Sequence, residues 1–218
     1  MSYSGTGAAV GASAVARTAR SVLLAALAAF VISTAWQALR SPWQVEDFPE
    51  SLAIKVELMP VLFPLHMVTG GLALLLVPLA LALNRYPRWH RRAARIAALD
   101  VVLAGVTAFP VALVAPVTWT SALGFCAQGL TWLVLLGLGL GHIRAGRVAQ
   151  HRACMVLMAA TMTGAVFFRV YLALWALYGT PRRFEGFYAL DAWIAWTLPL
   201  GLAALWLKRT GGLRLFPR

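Results

Sequence analysis

Six long apolar stretches, separated by short polar segments, account for most of this chain. A helix needs about 20 apolar residues to cross the hydrocarbon core of a bilayer, and each stretch reaches roughly that length. The pattern therefore predicts an all-α, polytopic membrane protein: a six-helix transmembrane bundle in which spans two to five form a four-helix core. The predicted spans are residues 21–39, 58–83, 96–119, 121–141, 153–178 and 188–207.

The segments outside the spans are too short for a separate soluble domain, so residues 21–207 are predicted to form one transmembrane domain. Residues 1–20 begin with a Gly-, Ala- and Ser-rich stretch without a periodic apolar face, which indicates a flexible cytoplasmic tail. Residues 208–218 are predicted to be a basic cytoplasmic tail. The first span has no small-residue cleavage site, which favours an uncleaved anchor over a signal peptide.

Composition agrees with a membrane protein, because 61% of the residues are hydrophobic, only 12% are charged, and the mean hydropathy is +0.77. A net charge of +12 would suggest a nucleic-acid partner in a soluble chain. Here most basic residues fall in short turns and tails on one predicted side, where the positive-inside rule and anionic lipids explain them. We therefore expect the protein in a bacterial-type inner (plasma) membrane, with both termini in the cytoplasm. Its expected partners are membrane lipids and other membrane subunits, and no nucleic acid.

One arginine, Arg169, lies deep in the fifth predicted span. A lipid-facing arginine at the bilayer centre costs about 2.5–3.5 kcal/mol on insertion scales, so we expect Arg169 to face the protein interior. Helix rise puts Arg169 roughly 14 Å, and His66 of the second span roughly 10–12 Å, below the same membrane face. Both could line one ligand cavity, holding a haem or a quinone. The alternative is structural: His66 bonded to a main-chain carbonyl, and Arg169 paired with Asp191 or Glu57.

Three further histidines are predicted at the cytoplasmic side: His90, His142 and His151. The free N–H groups of a helix start favour anions and neutral imidazole, so this cluster could hold a metal, a haem edge or a phosphate head group. Anchoring of the helix ends in the lipid interface explains the same residues. The repeated dipeptides at His90 and His151, each followed by arginine, also indicate two related helical hairpins.

Soluble-enzyme motifs are absent from the sequence: there is no phosphate-binding glycine loop, nucleophile elbow, zinc-protease helix or thiol pair. The two cysteines, Cys126 and Cys154, are predicted near opposite ends of their spans and cannot form a disulfide.

The order of short motifs resembles the predicted membrane protein family called domain of unknown function 2306. The resemblance rests on His66-x3-Gly70, His90-Arg91-x3-Arg95, Gly124-Phe125 with Trp132, and His151-Arg152-x2-Met155 followed by Arg169. It covers roughly residues 58–178. Ala80, Ala94 and Leu157 depart from the family pattern. The resemblance supplies candidate residues but no reaction. A four-helix core with histidines on both sides also looks like the haem-bearing bundles of b-type membrane cytochromes, but this likeness is one of architecture only.

Two functional hypotheses remain open from the sequence. The first is a cofactor-binding, redox-type membrane subunit that holds haem b or a quinone through His66, Arg169, His90 and His151. A bis-histidine haem needs two histidines at one depth, which the outer half does not supply. The second is a non-enzymatic accessory or scaffold subunit, or a lipid- or small-molecule-binding protein. The sequence assigns no enzymatic activity.

Overall fold

The computed structural model describes the main chain of residues 6–40 and 50–212, and their side chains except those of residues 6–16, 20, 23–24 and 50–53. Within these residues the chain is helical and contains no strand, so the predicted all-α class is confirmed. The helices are α1 (Thr6–Arg40), α2 (Glu50–Leu58), α3 (Leu62–Ala82), α4 (Pro87–Leu113), α5 (Trp119–Arg144), α6 (Val148–Met162), α7 (Gly164–Tyr178) and α8 (Phe184–Arg209).

Five helical segments in the described part of the chain are long and apolar enough to cross a membrane. They are Leu62–Arg85, Pro87–Leu113, Trp119–Arg144, Val148–Tyr178 and Pro181–Arg209. The first predicted span lies in α1, where the apolar segment Ala25–Arg40 is shorter than these five. A multi-pass membrane protein is therefore confirmed, whereas the sixth crossing stays a prediction.

α4 and α5 begin earlier than the hydrophobic pattern predicts. α4 starts at Pro87 rather than near residue 96, because proline is favoured at the first helical position, where its missing N–H is not needed. α5 starts at Trp119, after a capping box in which Thr118 and Ser121 each bind the other's main-chain N–H. The turn predicted at residues 120–121 therefore lies at 114–118.

The two ends of the chain are only partly described. α1 begins at Thr6 and so extends into the segment predicted as a flexible tail; its alanine-rich composition favours helix. Residues 1–5, 41–49 and 213–218 lie outside the described part. The acidic residues Glu46 and Asp47, between the first and second predicted spans, and most of the basic C-terminal tail fall there.

The bundle core joins α3, α4, α5 and α6, and α8 closes it. α3 pairs with α4, α5 pairs with α6, α1 packs on α3, and α8 contacts α5, α6 and α7. We call the end with the α3–α4 and α5–α6 turns the basic end. The buried core residues are Ala73, Val77, Ala97, Val101, Ala104, Trp132, Leu135, Leu136, Ala153, Leu157, Met158, Met162 and Leu207.

The fifth predicted span is interrupted at Thr163, between α6 and α7. The last carbonyls of a helix have no partner within that helix, and side chains bind two of them here. Gln128 of α5 donates to the Thr161 carbonyl at 3.1 Å, and the Thr163 hydroxyl donates to the Ala160 carbonyl at 2.6 Å. The interruption is therefore tied to α5.

Close packing at the interruption requires Gly164. A Cβ atom on this residue would lie 2.7 Å from Gln128 Nε2 and 2.7 Å from Trp196 Cβ, both closer than real contacts allow. We expect Gly164→Ala to destabilise the protein by about 1–3 kcal/mol, the usual cost of overpacking. The thermal unfolding midpoint of detergent-solubilised protein measures this effect.

Gly137 is the matched control, because a Cβ atom there would meet nothing within 4 Å. Gly137→Ala is expected to leave the midpoint unchanged or raise it, since alanine favours helix over glycine. Equal midpoints for the two variants would contradict the packing argument.

Candidate functional site

The half of the bundle away from the basic end contains a cavity of about 550 Å³. Its wall comes from α2, α3, α4, α5, α7 and α8 and is mostly apolar. Pockets of this size and character bind small organic molecules in many proteins. The polar residues that line it are Lys55, His66, Ser121, Gln128, Arg169 and Tyr188.

His66 lines this cavity and is also bonded to α4. Its Nδ1 lies 3.2 Å from the Ala104 carbonyl oxygen and 3.2 Å from the Thr107 hydroxyl. A carbonyl can only accept, so Nδ1 carries the hydrogen and Nε2 of the neutral ring keeps its lone pair. Nε2 has no hydrogen-bond partner among the described residues. The carbonyl bond that the structural alternative expected is therefore present, and one ring nitrogen remains available.

Arg169 lines the same cavity from α7. Its Nη1 donates to the Ala165 carbonyl at 2.8 Å, one turn earlier in its own helix. Within the described part of the chain this is its single hydrogen-bond or ion-pair partner. The ion pair with Asp191 or Glu57 that the structural alternative expected is therefore not formed, and most guanidinium N–H groups remain unused.

Lys55 is a cavity residue that the sequence analysis did not identify. Its ammonium group donates to the Val111 carbonyl at 2.8 Å and the Val114 carbonyl at 2.5 Å, at the end of α4. Cations are favoured there, because the last carbonyls of a helix carry partial negative charge. Only 7% of Lys55 is exposed, and this bond attaches α2 to the mouth of the cavity. The available sequence signal was a basic residue among the acids of segment 46–57.

The three histidines of the basic end each bond a different group. His90 Nδ1 bonds the Ala80 carbonyl of α3 at 2.8 Å, and His151 Nδ1 bonds the Gly139 carbonyl of α5 at 2.9 Å. His142 Nδ1 accepts from Arg147 Nε at 3.0 Å. No group of three or more His, Cys, Asp or Glu side chains suited to a metal occurs in the described part. A metal or cofactor role for these histidines stays a prediction without support from the geometry.

The bonds of His90 and His151 are equivalent. Each histidine lies in the first turn of a helix and bonds a carbonyl of the helix before it. The same hydrogen bond thus closes the α3–α4 hairpin and the α5–α6 hairpin, in line with the two related hairpins that the His-Arg dipeptides indicated.

A family model described as predicted membrane protein, DUF2306, matches residues 63–207, more than half of the 218-residue chain. The chain belongs to the DUF2306 family. No curated protein and no solved structure matches it. The match extends the resemblance seen in the sequence through most of α8.

The DUF2306 match contains nearly all of the cavity. His66, Gln128, Arg169 and Tyr188 lie inside residues 63–207, whereas Lys55 and the rest of α2 precede them. The cavity is thus built by the family's helices and is covered at one side by a segment outside the match.

Alkaline pH is expected to relieve the cost of burying the Lys55 charge and so to stabilise the fold. Burial lowers the pKa of Lys55 below its ordinary 10.5, because the charged amine is removed from water. The unfolded chain therefore binds this proton more tightly, so this stability contribution is complete above 10.5 and is lost as the pH falls through the lowered pKa. We expect the thermal midpoint of wild type to gain more from rising pH than that of Lys55→Met.

Exposed Lys208 provides the control, because Lys208→Met should follow the wild-type pH dependence. Parallel curves for wild type and Lys55→Met would refute this role of Lys55.

Replacing either hairpin histidine is expected to cost stability without affecting the cavity. His90→Ala and His151→Ala each lose one Nδ1 hydrogen bond, worth about 0.5–1.5 kcal/mol. Unfolding of each variant, followed by thermal midpoint with and without Zn²⁺, measures the loss. Stabilisation of wild type by Zn²⁺ that both variants lack would instead support a metal site.

Proposed function

We propose that this DUF2306 protein binds a quinone-type cofactor in the cavity and serves as a redox-type membrane subunit. The observation that carries the proposal is the shared cavity: an apolar chamber of about 550 Å³ with His66 and Arg169 on its wall. A quinone head group is a flat, largely apolar ring with carbonyl oxygens, and such a molecule reaches its site from the bilayer.

The hydrogen-bond inventory of the wall supports an acceptor-rich ligand. Arg169 has four N–H groups without a partner and Lys55 has one, when their described bonds are subtracted from the donors of each side chain. The available acceptor on the imidazole is Nε2 of His66. Quinone carbonyls accept from Arg169 and Lys55, whereas a quinol hydroxyl donates to His66 Nε2.

Haem b is the weaker candidate of the two cofactor classes. His66 is the one histidine among the described residues that line the cavity, so a haem there would lack a second histidine ligand from this chain. His90 and His151 lie at the basic end and bond main-chain carbonyls through Nδ1, so neither reaches this cavity.

The proposed setting follows the charge pattern. The basic end, with both turns rich in arginine, would face the cytoplasm of a bacterial-type inner membrane, and both termini would lie there. The cavity would then open in the outer leaflet, where membrane lipids or a neighbouring membrane subunit supply and receive the cofactor.

Quinone binding to the purified protein in lipid nanodiscs tests the proposal. We expect a short-chain quinone to quench tryptophan fluorescence with saturation, because Trp132 lines the cavity. Arg169→Gln should weaken binding at least tenfold, or about 1.4 kcal/mol. Arg182→Gln is the matched control, since Arg182 is exposed and does not line the cavity.

Optical spectra of the same sample, oxidised and reduced, separate the alternatives. A Soret band that disappears in His66→Ala would identify the bound cofactor as haem b rather than a quinone. Absence of both the band and saturable quinone binding would favour the accessory or lipid-binding hypothesis, and lipid analysis of the purified protein would then identify what occupies the cavity.

A further inference from the structure

Asp191 of α8 is a buried carboxyl group that neither the fold nor the proposed cofactor site uses. Its exposed fraction is 0%, and neither side-chain oxygen has a hydrogen-bond partner among the residues that the structure describes. An ionised carboxylate without partners is strongly disfavoured in an apolar interior, and within the membrane still more so. A bound proton removes the charge and makes this burial tolerable.

Asp191 lies directly behind the wall of the cavity. Tyr188, Ala192 and Ala195 of α8 line the cavity, and Asp191 is one turn from both Tyr188 and Ala195. Tyr188 and Asp191 are close enough to interact electrostatically. The Tyr188 hydroxyl has no hydrogen-bond partner in the described part of the chain. It is therefore available to bond either Asp191 or a group in the cavity.

The register of α7 and α8 brings this position to the level of Arg169. Phe168 and Tyr188 are in ring contact at 5.3 Å, and Gly164 packs against Trp196. Because the helices run antiparallel, Asp191 lies between these two contacts along α8, at the level of α7 residues 164–168, which directly precede Arg169. The arginine is nevertheless bonded to Ala165, so the two charged groups do not neutralise each other.

We propose that Asp191 is a proton-binding site that exchanges its proton with the cavity through the Tyr188 hydroxyl. In the exchange, the O–H bond of the Asp191 carboxyl breaks and its proton passes to the Tyr188 oxygen. Tyr188 releases its own proton to a water or ligand oxygen in the cavity, so the phenol stays neutral throughout. A small rotation of Tyr188, or one water molecule, closes the gap between the groups.

Few other ionisable groups surround this half of α8. α8 itself carries Tyr188 and Glu185, α7 carries Arg169, Tyr171 and Tyr178, α5 carries Cys126, and the turn before α8 carries Arg182 and Arg183. The ionisable residues of α6 lie in its first turns at the basic end. Among these groups, Arg169 is the cavity-lining cation near the level of Asp191, which makes it the candidate partner for an Asp191 that loses its proton.

Infrared spectroscopy of the protein in nanodiscs tests for the proton without any cofactor. A protonated carboxyl group has a C=O stretch that is separate from ionised carboxylates and shifts in D₂O. We expect such a band at neutral pH, with one component lost in Asp191→Asn. Tyr188→Phe should keep that component but shift its frequency, because the hydroxyl near the carboxyl is removed.

Asp100→Asn is the matched control. Asp100 is also buried, with 7% exposed and an unpartnered oxygen, but it lies on α4 and does not line the cavity. Its own component should be unaffected by Tyr188→Phe. Superimposable spectra of wild type and Asp191→Asn, or an Asp191 component that Tyr188→Phe leaves unshifted, would overturn the proposal. Tyr188→Phe keeps the test decisive even where Asp191→Asn fails to fold.

A second arm rests on the proposed function. If a quinone occupies the cavity, its addition to wild type should change the Asp191 component, and this change should be absent in Tyr188→Phe. If quinone has no effect but the infrared results without cofactor are as expected, the proton site is supported and only the proposed quinone binding is contradicted.

Discussion

A histidine Nδ1–H donating to a main-chain carbonyl of a neighbouring helix occurs three times in this bundle and joins two helix pairs. His90 closes the α3–α4 hairpin, His151 closes the α5–α6 hairpin, and His66 ties α3 to α4 again beside the cavity. Inside a membrane, water does not compete for these groups, and helices associate through close packing together with hydrogen bonds between them. Directional bonds of this kind, added to close packing, help to fix which helices are neighbours and in what register.

Polar groups at the cavity also bond main-chain carbonyls, but they keep some donors and acceptors free. His66, Arg169 and Lys55 line the cavity, and each has hydrogen-bonding capacity that the described residues leave unused: Nε2 of His66, four N–H groups of Arg169 and one of Lys55. The same residues thus support the helices and present ligand-binding groups. This dual use explains why the structural and the ligand-pocket interpretations of His66 both described part of the site.

Individual residues show how far sequence reasoning reached. Arg169 was recognised as a site candidate because an isolated charge in an apolar span has few explanations, and the matched depths of Arg169 and His66 agree with their shared cavity. The inner histidines were expected to lie close together because each was predicted at a cytoplasmic helix end. Among the described residues they form no metal-suited group of three: Nδ1 of His90 and of His151 bonds a main-chain carbonyl, and Nδ1 of His142 accepts from Arg147. The break at Thr163 was missed for a similar reason, since the surrounding run is uniformly apolar and its stabilising partner, Gln128, comes from another helix.

The sequence by itself determined the class of the protein, its long apolar helices, the family and the two residues most unusual for their depth. These features follow from hydropathy and charge, which depend on local composition and on the thickness of a bilayer. The packed helices were needed to show that Lys55 of α2 lines the cavity, that Arg169 bonds its own helix rather than Asp191, and that Asp191 is buried without a partner among the described residues. These outcomes depend on which helix faces which, and helix rotation and register are set by contacts between segments far apart in the chain.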